Sequence, residues 1–288
     1  MALLLITSFI WAFSFGLVKK FLGGVDASFV AFVRLFLALL LFLPLWRPGK
    51  VKRVLALRLL GIGMVQFGLM YVCYIQSFRF LAAHQVALFT VFTPLFVAAG
   101  DDLLERRWRP LHFWTALLAV AGTALIVYSG WGRAGLLKGF VLVQASNACF
   151  AGGQVLYRRL PAAGRKWRDR DVFAWLFLGG AAAAALAMLF FSVTPNPPLS
   201  GSQALTLLYL GLLASGIGFF LWNIGSSRVS AGTLAVMNNL KIPLAVGVSL
   251  LVFHERADLA RLAVGGFAIL LALWLNSRGK ANEIVSGR

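Results

Sequence analysis

Uninterrupted apolar runs of about twenty residues recur along this chain, and they decide its solvent before any other feature does. A helix rises ~1.5 Å per residue and the hydrocarbon core of a bilayer is ~30 Å thick, so one such run crosses a membrane once. The runs lie at roughly 2 to 18, 28 to 46, 57 to 78, 82 to 100, 111 to 129, 136 to 157, 172 to 192, 204 to 225, 231 to 252 and 260 to 276. The longest connections, near 47 to 56, 158 to 171 and 193 to 203, are too short to hold a soluble domain. With 60% of its residues hydrophobic and 12% charged, the chain carries more apolar surface than one water-soluble core can bury. The sequence predicts an all-α polytopic membrane protein of ten transmembrane helices, with the lipid bilayer as its solvent.

The net charge of +18 would suggest nucleic acid for a soluble protein. Here the basic residues are gathered in the loops beside the membrane, so they read as an orientation signal, and no nucleic-acid partner is expected. If the N-terminus is cytoplasmic, loops on that side hold 18 of the 27 Lys and Arg and the opposite side holds seven. The heaviest clusters are Arg47 to Arg58 and Arg158 to Arg170. Both termini are thus expected in the cytoplasm. Lys19 and Lys20, directly after the first run, pull the other way locally. Met1 to Val18 has neither a basic n-region nor a small-residue cleavage site, and reads as a retained helix. Cys73 and Cys149 fall inside apolar runs, where cysteine behaves as a small hydrophobe, and no metal or other cofactor is expected.

The chain repeats itself. TPLFVAAGDDLLERRW, 93 to 108, resembles IPLAVGVSLLVFHERA, 242 to 257, and Glu105 follows Pro94 by 11 residues as Glu255 follows Pro243 by 12. Arg79 and Arg228 each precede their proline by 15 residues, and SFIWAFSFGLVKKF, 8 to 21, corresponds to NACFAGGQVLYRRL, 147 to 160. Each copy holds five helices, an odd number, so the second is expected upside down relative to the first: one five-helix repeat over 1–130, a second and inverted one over 131–280, and a short cytoplasmic tail at 281–288.

These residues resemble the drug/metabolite transporter superfamily, and within it the ten-helix EamA-type permeases. The resemblance covers residues 1 to 276. It is carried by Trp11 with Lys19 and Lys20, Arg34, TPLF at 93 to 96 followed by Glu105 and Arg106, and YLGLLASGIGFFLWNIGSSRVSA at 209 to 231. It implies two inverted halves around a central cavity in a bacterial inner membrane, often exporting amino acids or related metabolites. The family commonly has Glu directly before the proline of the ninth helix, whereas this chain reads Lys241-Ile242-Pro243.

All nine acidic residues fall in loops or at helix ends, while two cations, Arg34 and Lys241, fall within apolar runs. A charge at the centre of a membrane helix costs at least ~2.5 to 3.5 kcal/mol, so each needs a polar companion. Lys241 is too deep to snorkel and should face water or substrate, with Asn238 one turn away on the same face. Arg34 is nearer a helix end; it either contacts substrate or caps carbonyls at the interface. Gln144, Asn147 and Gln154 share one helix face with Ala151, and suit either ligand hydrogen bonds or helix-to-helix bonds. Gln66, Tyr74 and Gln76, and Ser215, Trp222 and Asn223, carry the same two readings, and Trp11, Tyr71 and Trp222 either line an aromatic pocket or pack.

His84 reads as an interfacial histidine with its bonds satisfied. The glycines Gly61, Gly63, Gly152, Gly153, Gly216 and Gly218 suit close helix approach. Pro94 and Pro243 are expected to break their helices at matched depth, where a site and its gates would be built.

An enzyme would need a nucleophile with a base, or metal ligands, at one depth. The three histidines, His84, His112 and His254, have no intramembrane acid to orient them and form no His-Glu-x-x-His. A secondary transporter working by alternating access is expected, and Lys241 without an intramembrane acid favours a small solute bearing a carboxylate: an amino acid or an organic acid. An organic phosphate is the second reading, and a proton-coupled drug exporter the third.

Overall fold

The computed structural model describes residues 1–106, 135–160, 167–192, 198–229 and 231–255, with isolated positions at 260, 263, 264, 267 and 271. The regular structure among them is helical throughout, as it must be where lipid offers no partner to a free N–H or C=O. The expected helix at 111 to 129, most of that at 260 to 276, the tail at 281–288 and His112 lie outside the described residues.

Eight apolar segments form helices: α1 (Ala2–Phe21), α2 (Ala27–Leu45), α3 (Arg53–Ser77), α4 (Ala83–Leu104), α5 (Leu136–Arg158), α6 (Asp169–Phe191), α7 (Gly201–Ser227) and α8 (Ala231–Leu251). Six of them, α1 to α4, α6 and α7, are long and apolar enough to cross a membrane. The starts of α2 and α7 are capped by side chains where the chain leaves the apolar phase. Asp26 accepts from the Phe29 N–H at 2.9 Å, and at α7 Ser200 accepts from the Gln203 N–H at 3.3 Å while the Gln203 side chain accepts from the Ser200 N–H at 2.9 Å. Faces turned out of the bundle carry large exposed apolar side chains such as Phe9, Phe13, Phe36, Leu189 and Phe190, a surface suited to lipid.

Besides the 3₁₀ turn Leu43–Leu45 that closes α2, three helices depart from regular winding along their course. α3 and α7 each contain a π-helical stretch, Met64–Leu69 and Tyr209–Ile217, and α4 is interrupted by a 3₁₀ turn at Thr90–Phe92. Pro94 stands in the first turn of the second part of α4, which begins at Thr93. Lacking an N–H, it leaves the Thr90 carbonyl without its usual helical donor, and the Thr93 hydroxyl donates to that carbonyl at 2.7 Å. At Pro243 the helical assignment is continuous, and α8 runs from Ala231 to Leu251 with the proline inside it.

α3 and α6 touch backbone to backbone. A side chain at Gly63 would lie 1.9 Å from the Leu176 carbonyl oxygen, and one at Gly179 2.1 Å from that of Leu60. Gly153, Gly216 and Gly218 also stand against neighbouring helices, as expected, but Gly61 and Gly152 face open space and serve no close approach. α2 packs along α6, and α1 lies between α7 and α8. The main apolar cluster these contacts create runs from α1 to α8, with two smaller ones beside it around Phe92 and Val155.

Candidate functional site

A cavity opens among α1, α2, α3, α4, α5, α7 and α8, with about 530 Å³ of empty space, its mouth included. Of the residues expected at a site or in an aromatic pocket, Trp11, Arg34, Tyr71, Tyr74, Asn147 and Lys241 line it. Gln66, Gln144, Gln154, Trp222 and Asn238 do not, and neither do Pro94 and Pro243. Phe150, Phe219 and Thr93 join the lining without having been singled out in the sequence. A signal was there: Phe150 follows Asn147 by one turn, and Phe219 precedes Trp222 by one turn.

Lys241 is 6% exposed, and its ammonium sits among ring faces, 5.5 Å from the centroids of Trp11 and Phe150 and 5.8 Å from that of Trp222. Each such contact favours the cation by about 0.5 to 2 kcal/mol. The cage is held by its own packing. Trp11 donates its indole N–H to the Ala214 carbonyl at 2.8 Å, while its ring lies 5.0 Å from Trp222 and 5.3 Å from Phe219. Asn238 does not orient Lys241: both polar atoms of its amide are buried without a hydrogen-bond partner.

Arg34 does not snorkel to the interface. It is 2% exposed and points inward, its Nε donating to the Ser215 hydroxyl at 3.2 Å and its Nη2 to the Tyr71 hydroxyl at 2.6 Å. Tyr71 and Ser215 are themselves 2.9 Å apart, which closes a three-membered polar network. Its Nη1 has no partner. Ser215 lies inside the π-helical stretch of α7, and its hydroxyl also donates to the Leu210 carbonyl at 2.7 Å, five residues back. The altered winding is therefore what turns Ser215 toward α2.

The polar wall opposite is built by α4 and α5. Asn147 donates to the Phe89 carbonyl at 2.8 Å and to Gln144 at 3.1 Å, and accepts from the Thr93 hydroxyl at 3.2 Å. Gln144 thus serves helix packing rather than the cavity. Among the described residues no carboxylate pairs with Arg34 or Lys241, and no group of three or more His, Cys, Asp or Glu could hold a metal ion. The cavity carries two cations, hydroxyls, an amide and many ring faces.

Outside the cavity, His84 is satisfied as expected, but by a partner the sequence did not suggest. Its Nδ1 lies 2.9 Å from the Glu255 carboxylate, which also accepts from the Ala83 N–H at 2.9 Å, the His84 N–H at 3.1 Å and the Ser249 hydroxyl. Beside it Phe253 covers Gly16, where a β-carbon would come within 2.1 Å of the ring.

Comparison with known proteins agrees with this arrangement. Residues 1–128 and 137–278 match the EamA-like transporter family. A relative from Pseudomonas aeruginosa named "Probable biotin transporter" is 43% identical over 288 residues, spanning 97% of this chain and 98% of its own. The "Biotin transporter" of Escherichia coli K12 is 37% identical over 286 residues, spanning 96% and 93%. The "Aromatic amino acid exporter YddG" of Ancylobacter novellus is 28% identical over 168 residues, 57% of each chain. A solved crystal structure at 21% identity covers 96% of each chain with a TM-score of 0.66, a likeness of fold. Apolar helices around a cavity with buried cations, and a family match over nearly the whole length, have one explanation: the chain belongs to the EamA-like transporter family of the drug/metabolite transporter superfamily, a multi-pass membrane transporter of small molecules and not an enzyme.

Proposed function

We propose that this protein carries a monocarboxylate with a polar head group, biotin or a close chemical relative, across a bacterial inner membrane by alternating access. In this reading ten helices form two inverted repeats, 1–130 and 131–280, with both termini cytoplasmic. The observation that carries it is Lys241, an ammonium buried at a cavity and facing rings alone, with no carboxylate beside it among the described residues. A bound anion is the most favourable partner for such a charge. Arg34, with its unpartnered Nη1, is the second anchor, and Trp11, Tyr74 and Asn147 shape the space between. The break at Pro94 and the proline of α8 are the proposed gating positions.

The relatives spanning most of this chain are named for biotin, and the one named for aromatic amino acids spans 57% of it. Chemistry favours the same choice. An α-amino acid brings a second charged group, an ammonium, and the cavity holds two cations and, among the described residues, no carboxylate to pair with it. An organic phosphate, with two charges for two cations, is the second reading.

Thermal shift of the purified protein against biotin, phenylalanine and a sugar phosphate tests this, since a ligand at 100 times its dissociation constant stabilises by ~2.7 kcal/mol. Biotin is expected to raise the melting temperature and phenylalanine not to. In proteoliposomes, Lys241→Gln should abolish flux of radiolabelled biotin and Lys241→Arg should be intermediate. Wild-type flux in Lys241→Gln, or a response to phenylalanine alone, would overturn the reading.

A further inference from the structure

One helical turn from the cavity, toward the end of the bundle where α1 and α3 begin, lies a layer of buried amides and an indole. Gln66 precedes the cavity residue Met70 by four positions, Gln154 follows Phe150 by four, Asn223 follows Phe219 by four, and Asn238 precedes Lys241 by three. These steps lead the same way. α3 and α8 run with α1, since Phe15 meets Tyr74 and Lys19 meets Phe78, and Trp11 meets Lys241 and Gly16 meets Phe253; α5 runs against α3, with Gly139 at Leu81 and Gly153 at Gln66, and α7 runs against α1, with Ala214 at Trp11 and Gly225 at Leu4. The Gln66 Nε2 donates to the Asn223 side-chain Oδ1 at 3.0 Å, which joins α3 to α7 within the layer. It reaches across α5 because residue 153 is glycine: a β-carbon there would lie 2.2 Å from that of Gln66.

Most of the layer's hydrogen-bonding capacity is unused. Gln66 Oε1, both polar atoms of Gln154, Trp222 Nε1, Asn223 Nδ2 and both polar atoms of Asn238 are buried and have no hydrogen-bond partner among the described residues. Gln66, Gln154, Trp222 and Asn223 are 0% exposed and Asn238 is 1% exposed. Each unpaired atom bears its desolvation with no bond to offset it, so this many together are not explained by packing. The set holds donors and acceptors in nearly equal number and no charged side chain. It therefore matches a group that is uncharged and both donates and accepts.

We infer that this layer is a second subsite, which takes an uncharged amide-like or cyclic-urea head group during passage, while the carboxylate of the same solute is held at Lys241. The rings of Phe150, Phe219 and Trp222 separate it from the cavity, and the solute reaches it when that floor moves. The inference rests on the monocarboxylate reading above and adds the chemistry of the other end of the solute. Biotin fits: its ureido ring has two N–H donors and a carbonyl acceptor, several bonds from its carboxylate.

Affinity and flux are to be compared for biotin and for a straight-chain aliphatic monocarboxylate, in the wild type and in Gln154→Leu, Asn238→Leu and their double variant. The leucines remove orphaned polar atoms at similar volume, so folding, followed by melting temperature, is expected to hold or improve. Biotin affinity should fall by about tenfold more than that of the aliphatic acid, the loss expected for one hydrogen bond of ~1.4 kcal/mol. If the wild type binds both acids and the variants keep the wild-type preference for biotin, the layer is structural or merely hydrated, and the inference fails alone. If the wild type binds neither acid, the monocarboxylate reading fails and takes the inference with it. Should the leucines unfold the protein, Gln154→Glu and Asn238→Asp keep the shape, and an unchanged preference in both would overturn the subsite equally.

Discussion

Glu255 caps His84: the carboxylate accepts from the backbone N–H of His84 at 3.1 Å and stands 2.9 Å from its Nδ1, tying the end of α8 to the first turn of α4. A negative charge at a helix N-terminus also complements the helix dipole. Burial alone would raise the Glu255 pKa, but the hydrogen bonds from His84, Ser249 and the two backbone N–H groups outweigh it and hold the value at about 2 instead of the usual 4.5. A carboxylate depressed in this way contributes stability above its unfolded pKa and loses it as pH falls through the folded one. The melting temperature of the wild type should therefore drop as the pH falls from about 4.5 toward 2. Glu255→Gln should be less stable at pH 7 and show a flatter acid limb; an equally steep limb would mean that other carboxylates set it.

Two glycines near one end of α3 should respond oppositely to alanine. Gly63 has the Leu176 carbonyl 1.9 Å from where a β-carbon would sit, and Gly61 has nothing within 4 Å. Gly63→Ala should cost about 1 to 3 kcal/mol or force α3 and α6 apart. Gly61→Ala should be neutral or gain up to about 1 kcal/mol, since alanine is the better helix former. Melting curves in one detergent decide it, and a pair of variants with the same sign of shift would contradict the contact between these helices.

How much of this was legible in the sequence follows from what each signal measures. Apolar runs report solvent, and those at 2 to 18 and 28 to 46 reappear as α1 and α2 to within a few residues at each end. Depth along a helix does not report rotation about its axis. Arg34 therefore looked able to reach the interface, yet its face turns inward to Tyr71 and Ser215. Lys241 stood out because a lysine at that depth cannot easily reach a headgroup layer, while its partners, Phe150 and Trp222, belong to helices far away in sequence. The π-helical stretches have no composition of their own, and with them the placement of Ser215 was hidden. Glu255 read as a loop acid because its bond to His84 spans 171 residues.

The charge asymmetry gives a prediction that needs no purified protein. Eighteen of 27 basic residues fall on one side of the proposed topology and seven on the other. Reporter fusions should accordingly show the loop around Lys52 cytoplasmic and the loop near Asn196 periplasmic. A cytoplasmic readout near Asn196 would reverse the orientation and leave the helix packing untouched.

The Arg34 network allows a substrate anchor to be told from a structural arginine. Tyr71 and Ser215 bond each other at 2.9 Å, and Ser215 also bonds the Leu210 carbonyl at 2.7 Å, so both hydroxyls keep a partner if the guanidinium is lost. Arg34→Lys retains the charge at this depth but cannot reproduce a planar fork that engages two hydroxyls while offering Nη1 to a ligand. Its melting temperature should change little, while affinity for the carboxylate solute should fall by about tenfold or more, as expected for a charge-assisted hydrogen bond of ~1.5 to 3 kcal/mol. Tyr71→Phe frees Nη2 of its partner without removing the cation, and should weaken binding less than Arg34→Lys does. Isothermal titration of the three proteins beside their melting curves separates the cases. Unchanged affinity in Arg34→Lys, with a melting temperature several degrees lower, would make Arg34 a brace between α2, α3 and α7 and leave Lys241 as the anion's anchor.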